Sequence, residues 1–180
     1  MSTSPRSVLL VIDLQVGVLP GCLDADGVVR RTGALVDRAR DEGVPVVWVH
    51  DHDDFPVGSA EWQLQPPLER RPEEALVQKV HRDAFADTDL AAVLDAAGAT
   101  RLVVAGAQTD YCIRTTTQAA AVRGYDVTLV GDAHTTTDSA PGGVAVSAAQ
   151  VVAHTNAYFA GLTYPGQAFS VEDHARVALR

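Results

Sequence analysis

The chain has 180 residues, of which 47% are hydrophobic and 21% are charged, and its formal net charge is -9 at pH 7. This length suits one domain over residues 1–180, which can bury roughly 70% of the surface that the unfolded chain exposes. The acidic balance argues against a nucleic acid or an anionic membrane as a partner, because both call for a basic patch.

The sequence also bears on where the protein works. No apolar run approaches the ~20 residues that a membrane helix needs, and the polar start, residues 1–6, lacks the apolar region of a signal peptide. The two cysteines, Cys22 and Cys112, lie far apart in the sequence. So few cysteines favour a reducing compartment over a secreted disulfide scaffold. We therefore predict a cytoplasmic protein without a membrane partner.

The first part of the chain predicts two buried strands and a helix. Residues 7–13 and 44–49 are continuous apolar runs, which are typical of parallel strands buried on both faces. Residues 28–42 have the apolar spacing of an amphipathic helix and end before Gly43. The first strand ends at Asp13, and the carboxyl ends of parallel strands are where open α/β sheets bind their ligands.

The polar stretch over residues 50–54, which follows the second strand, allows two interpretations. Two histidines and three aspartates at a strand end could bind a metal ion. Their crowded spacing differs from that of a closed zinc site and equally fits a polar loop with local hydrogen bonds. Residues 55–72 are rich in proline and long enough to form a substrate lid, in which Trp62 either lines a pocket or anchors the loop.

Lys79 is the only lysine among the 14 lysine and arginine residues of the chain. Such sparing use indicates a position that needs a compact ammonium on a flexible stem. Lys79 lies near the end of a short predicted strand, residues 75–80, and a helix is predicted over residues 90–97.

The sequence LVVAGAQTDYCIR, residues 102–114, predicts a strand, a tight turn and the start of a helix. The strand covers residues 101–105, and the helix covers residues 113–123. Cys112 falls at the start of this helix, where unpaired N–H groups and the helix dipole favour a thiolate. Cys112 is therefore a candidate nucleophile.

The rest of the chain completes an alternation of strands and helices. A strand is predicted over residues 126–130, a helix over 144–160 and a short strand over 168–171. This alternation predicts an α/β protein, a Rossmann-like three-layer α/β/α domain with a central, mostly parallel sheet of about six strands. The glycine-rich dinucleotide motif and the phosphate-binding loop of NTPases do not occur in the sequence, which argues against a dehydrogenase or kinase-like role.

Four motifs in chain order resemble those of the isochorismatase-like cysteine hydrolases, a group that includes nicotinamidases, N-carbamoylsarcosine amidohydrolase and ureidoacrylate hydrolases. They are VIDLQ at residues 11–15, Lys79 six residues before Phe85, GAQTDYCI at residues 106–113, and GDAH at residues 131–134. The resemblance extends from residue 7 to about residue 158 and implies the isochorismatase-like hydrolase fold.

Carried onto this chain, the resemblance implies a catalytic triad in which Cys112 is the nucleophile, Asp13 is the general acid and base, and Lys79 supports both. It also implies a cis peptide bond at Ala107–Gln108, with the backbone N–H groups of Gln108 and Cys112 forming an oxyanion hole. It implies no cofactor, a small-molecule substrate and a homo-oligomer, since relatives are commonly homo-oligomers. The predicted walls of the substrate pocket are Trp62, His81, Phe85 and Tyr111.

Departures from the family pattern narrow the function. Nicotinamidases bind a metal through an Asp-x-His pair and a further histidine, but the matching positions here are Asp51, Asp53 and Val57, so we predict no metal. Isochorismate cleavage breaks an enol ether and needs no thiol, so Cys112 favours hydrolysis of an amide, carbamoyl or ureido C–N bond. Three alternatives stay open: an isochorismatase-type enol-ether hydrolase, a catalytically silent binding domain, and a metal-dependent hydrolase centred on residues 50–54.

Overall fold

A computed structural model describes residues 6–180 and confirms the predicted α/β fold. Its central sheet has six parallel strands in the order β3-β2-β1-β4-β5-β6. The strands are β1 (Ser7–Ile12), β2 (Val46–Asp51), β3 (Ala75–Lys79), β4 (Arg101–Ala107), β5 (Asp126–Thr135) and β6 (Phe169–Glu172). The strand order changes direction between β1 and β4, which is the place where ligands bind in open α/β sheets.

Helices cover both faces of the sheet, as the nearly continuous burial of its central strands requires. They are α1 (Ala25–Glu42), α2 (Leu90–Ala96), α3 (Arg114–Val122) and α4 (Ala148–Ala160). Leu9 and Val11 of β1 belong to the apolar layer that includes α1. Val8, Leu10 and Ile12 face the opposite layer, in which residues of α2, α3 and α4 are buried. Six of six β1 residues are buried, which explains the continuous apolar run.

Several predicted element boundaries are wrong, among them the start of α1, which begins at Ala25 instead of residue 28. Three of these errors have a clear local reason. β2 extends to Asp51 because it pairs with β3 through Asp51 and Lys79, so His50 and Asp51 belong to a strand. β5 extends past residue 130 to Thr135, and a shift in its register aligns His134 with Gly106 of β4. α4 begins at Ala148 instead of residue 144, because Ser147 and Gln150 form a capping box at its start.

No helix within residues 6–180 is long and apolar enough to cross a membrane. The cytoplasmic location and the homo-oligomeric state stay predictions.

Gly106 of β4 lies where a side chain would meet the backbone of β1. Its φ is +134°, and a Cβ added there would lie 2.0 Å from the carbonyl oxygen of Ile12. We expect Gly106→Ala to lower the free energy of unfolding by about 3 kcal/mol or more, because the methyl group combines backbone strain with a clash that only strand separation relieves. Urea unfolding followed by circular dichroism measures this loss.

Gly166→Ala is the matched control for this prediction. Gly166 also has a positive φ, +80°, but a Cβ there would meet nothing within 4 Å. Its replacement should cost only about 1–2 kcal/mol, the usual penalty for a side chain in this conformation. Equal losses for the two variants would contradict the close packing of β4 against β1.

Candidate active site

The candidate site lies at the carboxyl ends of the four neighbouring strands β3, β2, β1 and β4. Asp13 directly follows β1, and Asp51 and Lys79 are the last residues of β2 and β3. Cys112 lies in a π-helical turn (Thr109–Ile113) that connects β4 to α3, rather than in the first turn of an α-helix. Parallel pairing therefore brings together four residues that are far apart in the sequence.

Lys79 is the centre of this group and is only 1% exposed. Its Nζ lies 2.8 Å from Asp13 Oδ2 and donates hydrogen bonds to Asp51 Oδ2 at 3.1 Å and to Cys112 Sγ at 3.3 Å. An ammonium has three N–H donors, so each one has a partner. Burial opposes the charge of Lys79, but the carboxylate of Asp13, followed by the thiol of Cys112, raises its pKa above the ordinary value. Lys79 is therefore a permanent cation at neutral pH.

Asp13 has the electrostatics of a general base that operates near neutral pH. Burial raises the pKa of Asp13 to about 6, and the charge and hydrogen bond of Lys79 oppose that rise. Asp13 is 2% exposed, and its second oxygen, Oδ1, has no hydrogen-bond partner among the described residues. A buried acceptor without a donor is costly, so Oδ1 is available to accept a proton or an N–H group.

Cys112 is protonated in the resting site. Burial, and after it the neighbouring Asp13 carboxylate, raises the pKa of Cys112 to about 12, although Lys79 opposes both effects. The predicted preference for a thiolate at the helix start is thus outweighed by burial. The thiol can lose its proton only as an acceptor takes it, and Asp13 is the carboxylate that acts on it most strongly.

A chain of hydrogen bonds connects the turn that carries Cys112 to β5 and α4. Thr109 Oγ1 lies 2.9 Å from His134 Nδ1, and His134 Nε2 lies 2.8 Å from Asn156 Oδ1. Asn156 donates its amide N–H to Gly131 O at 2.9 Å, so its Oδ1 accepts from His134 Nε2–H, and Thr109 donates to Nδ1. Burial lowers the pKa of His134, which keeps the ring neutral for this arrangement. The sequence pointed to His134 only as part of a motif, and it gave no signal for Asn156.

The peptide bond between Ala107 and Gln108 is cis. The side chain of Gln108 donates from Nε2 to Val18 O at 3.3 Å, and the same nitrogen lies 3.6 Å from Cys22 Sγ. Cys22 is half-buried and does not line the cleft described next. Cys22 instead packs against the apolar layer that includes α1.

An open cleft of about 500 Å³ lies above the cluster of Asp13, Lys79 and Cys112. Asp13, Asp51 and Cys112 line it at the strand ends. The remaining lining residues come from the loops that follow β1, β2, β3 and β4: Gly17, Val18, Asp53, Asp54, Phe55, Val80, Arg82, Gln108 and Tyr111. Val18, Phe55, Val80 and Arg82 were not identified from the sequence, because loop side chains follow no periodic pattern.

Only Tyr111 of the four predicted wall residues lines this cleft. Trp62 packs edge-on against the ring of His50, with 4.9 Å between centroids, outside the cleft. Phe85 is buried in an apolar layer and stacks on Tyr125 at 6.1 Å. His81 is exposed and lies outside the lining, although its neighbours Val80 and Arg82 are part of it. Trp62 therefore anchors its loop instead of lining the pocket.

The loop over residues 55–72 is hydrogen-bonded to the loop after β1. Val16 and Gly17 donate backbone hydrogen bonds to Gln63 O and Glu61 O, both at 2.9 Å. A Cβ at Gly17 would come within 2.4 Å of the Phe55 ring, so the absence of a side chain there allows this ring to reach the cleft. The predicted lid contributes one cleft residue, Phe55, from its first position.

The side chains of the polar stretch over residues 50–54 contact different parts of the structure, because its first two residues belong to β2. His50 is 3% exposed, neither ring nitrogen has a hydrogen-bond partner within residues 6–180, and burial lowers the pKa of His50 to about 4. Asp51 instead points to Lys79. Within residues 6–180, no three histidine, cysteine, aspartate or glutamate side chains come together as a metal-binding group. The metal-dependent hypothesis therefore has no donor set in this part of the chain.

Comparisons of this chain with known proteins agree on one family. The family model of the isochorismatase domain matches residues 7–159. A streptothricin hydrolase from Streptomyces noursei is 40% identical over 149 residues, which cover 77% of this chain and 58% of the relative. A secreted isochorismatase effector from Verticillium dahliae is 32% identical over 140 residues, covering 73% of this chain and 74% of the relative. The matched region thus spans just over half of the streptothricin hydrolase.

Solved structures extend the similarity to nearly the whole chain. An isochorismatase from Pseudomonas putida KT2440 superimposes with a TM-score of 0.87 at 28% identity, and the match covers 98% of this chain and 94% of that structure.

Proposed function

The chain belongs to the isochorismatase family of hydrolases, and from this premise we propose that it cleaves a C–N bond of a small amide, carbamoyl or ureido compound through Cys112. The observation that carries the proposal is the contact of Lys79 Nζ with both Asp13 and Cys112 at the floor of an open cleft. A protonated thiol, a carboxylate with a pKa near neutrality and a buried cation are the groups that a covalent hydrolysis needs.

The first half of the reaction forms a thioester. Asp13 accepts the thiol proton as Cys112 Sγ attacks the carbonyl carbon, because the pKa of Cys112 is too high for a free thiolate to form first. The backbone N–H groups of Gln108 and Cys112 stabilise the negative oxygen of the tetrahedral intermediate. The protonated Asp13 then gives its proton to the leaving nitrogen, so the C–N bond breaks and a neutral amine or ammonia departs.

The second half restores the enzyme. Asp13, again a carboxylate, takes a proton from water, and the resulting hydroxide attacks the thioester carbon. The C–S bond breaks, the acid product departs, and the proton on Asp13 returns to the Cys112 thiolate. Lys79 keeps its proton throughout and stabilises whichever of the two neighbours is negative.

A release assay tests this function. Purified protein is incubated with a panel of primary amides, carbamoyl amino acids and ureido acids, together with streptothricin because of the 40% identical relative, and free ammonia or amine is measured. We expect hydrolysis that Cys112→Ala abolishes. Hydrolysis that survives in Cys112→Ala, or a panel in which no C–N bond is cleaved, would contradict the proposal. Cleavage of an enol ether alone would favour the isochorismatase-type alternative.

The pH dependence of kcat/KM should report the titration of Asp13. As a base, Asp13 must be deprotonated, so kcat/KM is expected to fall below pH about 6 and to approach a tenfold loss for each further pH unit. Steady-state kinetics at constant ionic strength measures this limb. Circular dichroism over the same range is the control for unfolding. A kcat/KM that does not change through pH 6 while the protein stays folded would contradict the role of Asp13.

A further inference from the structure

Two unpaired carboxylates lie at the rim of the cleft. Asp53 and Asp54 follow β2, line the cleft and are exposed. Neither forms an ion pair with a lysine, arginine or histidine within residues 6–180. Two adjacent like charges repel each other unless a cation lies between or beside them.

The strand end that contacts Lys79 also holds the backbone of Asp53 and Asp54. Asp51 Oδ1 accepts hydrogen bonds from the backbone N–H groups of Asp53 at 3.1 Å and Asp54 at 3.2 Å, while Oδ2 contacts Lys79. Gln15 in turn accepts from the Asp51 N–H at 2.8 Å and donates to its carbonyl at 2.9 Å. The rim is therefore held in a defined place relative to the triad.

The cations near the cleft do not balance its carboxylates. The lining includes four aspartates, namely Asp13, Asp51, Asp53 and Asp54. Lys79 is 1% exposed and is already shared by Asp13 and Asp51. Arg82 also lines the cleft, with its guanidinium 4.2 Å from the centre of the Tyr111 ring, so two cations stand against four carboxylates. The cleft therefore keeps an excess of negative charge, which attracts cationic ligands and repels anionic ones.

An independent feature at the floor of the cleft also indicates a ligand. Asp13 lines the cleft and is 2% exposed, yet its Oδ1 has no hydrogen-bond partner among the described residues. An N–H group of a bound amide would satisfy this acceptor. The cleft thus offers one free acceptor at its reacting end and two free carboxylates at its rim.

We propose, resting on the C–N hydrolase function proposed above, that the cleft selects compounds that carry an ammonium or guanidinium group beyond the scissile carbonyl. Asp53 and Asp54 bind that cation. They determine specificity and do not contact the reacting bond. A substrate whose distal group is a carboxylate is disfavoured, because it would bring a further negative charge to this rim.

Three primary amides of matched length test the selectivity: 6-aminohexanamide, hexanamide and adipic acid monoamide. We expect kcat/KM for the cationic amide to exceed that for the neutral one by about tenfold, since each of two exposed charge pairs contributes a few-fold, and the anionic amide to be poorest. The preference should shrink as ionic strength rises. Ammonia release measures all three.

The double variant Asp53→Asn/Asp54→Asn should abolish the preference, because it should lower kcat/KM for 6-aminohexanamide by about tenfold more than kcat/KM for hexanamide. Asp41→Asn is the matched control, because Asp41 is exposed, forms no ion pair within residues 6–180, does not line the cleft, and lies near the end of α1, which leads to the amino end of β2. A neutral or anionic amide that is cleaved as well as the cationic one would overturn the proposal. An equal loss for all three amides in the double variant would also overturn it, because the rim would then have only a structural role.

Binding to Cys112→Ala separates this inference from the hydrolase function. NMR titration of that variant with the same three amides measures affinity without any need for turnover. One outcome is that 6-aminohexanamide binds more tightly than the other two amides, that Asp53→Asn/Asp54→Asn removes this difference, and that the unmodified protein hydrolyses none of the three. This outcome would support the selectivity and overturn the proposed C–N hydrolase function. Hydrolysis of the amides by the unmodified protein, without such a difference in affinity or in kcat/KM, would support the C–N hydrolase function and overturn the selectivity.

Discussion

Cys112→Ala is expected to lower kcat/KM by about 10⁴-fold or more, because loss of a nucleophile removes every step that passes through the covalent intermediate. The variant should stay folded, since the thiol is only one of three partners of Lys79 and the two carboxylates remain. Single-turnover measurements with excess enzyme give the loss most cleanly, and they exclude product release as the limiting step.

Cys22→Ser is the control for Cys112→Ala. Cys22 is the other free cysteine of the chain and lies outside the cleft lining. A serine hydroxyl can replace its contact with Val18 O, so we expect activity close to that of the unmodified protein. If Cys22→Ser lost as much activity as Cys112→Ala, the assignment of Cys112 as the nucleophile would fail.

Asp13→Asn is expected to have two opposite effects. Hydrolysis should fall by about 10³-fold, within the usual range for loss of a general acid and base. The pKa of Cys112 should fall, because burial still raises it but the Asp13 carboxylate no longer does, while Lys79 continues to lower it. Each unit by which that pKa falls increases the thiolate fraction about tenfold, so alkylation of Cys112 by iodoacetamide should become faster.

Peptide mass spectrometry measures the alkylation rate of Cys112, with Cys22 as the internal reference in the same sample. A variant that is merely misfolded would expose both cysteines and label both faster. Slower alkylation of Cys112 in Asp13→Asn than in the unmodified protein would contradict the expected fall in the pKa of Cys112, because the loss of the proton acceptor would then outweigh the loss of the neighbouring negative charge.

The spatial cluster of Asp13, Lys79 and Cys112 could be predicted from the sequence because each member lies at or just after the end of an apolar strand. Asp13, Lys79 and Cys112 follow or end β1, β3 and β4, and parallel pairing places such ends at one edge of the sheet. Asp51 was interpreted as part of a polar loop, because the register that carries β2 as far as Lys79 depends on long-range pairing. Its contact with Lys79 was therefore missed.

The residues of the cleft walls were harder to predict from the sequence, because they depend on the direction of side chains in loops. Phe85 and Tyr111 are both aromatic residues near strand ends, yet Phe85 is buried in an apolar layer and Tyr111 faces the cleft. The pKa of Cys112 was also difficult to predict from the sequence. Its place near a helix start suggested a thiolate, but the burial that raises its pKa comes from the packing of the whole site.

The central claim is that Cys112 forms a thioester with the acyl part of the substrate. The most direct measurement is the mass of the Cys112 peptide after acid quenching within the first turnover on a hydrolysed amide, with hydroxylamine added in parallel. We predict an acyl adduct on Cys112 and none on Cys22, and a ratio of hydroxamate to acid that is the same for amides that share an acyl group but differ in the leaving amine. First-turnover product with an unmodified Cys112 and a ratio that varies with the leaving amine would contradict the covalent mechanism.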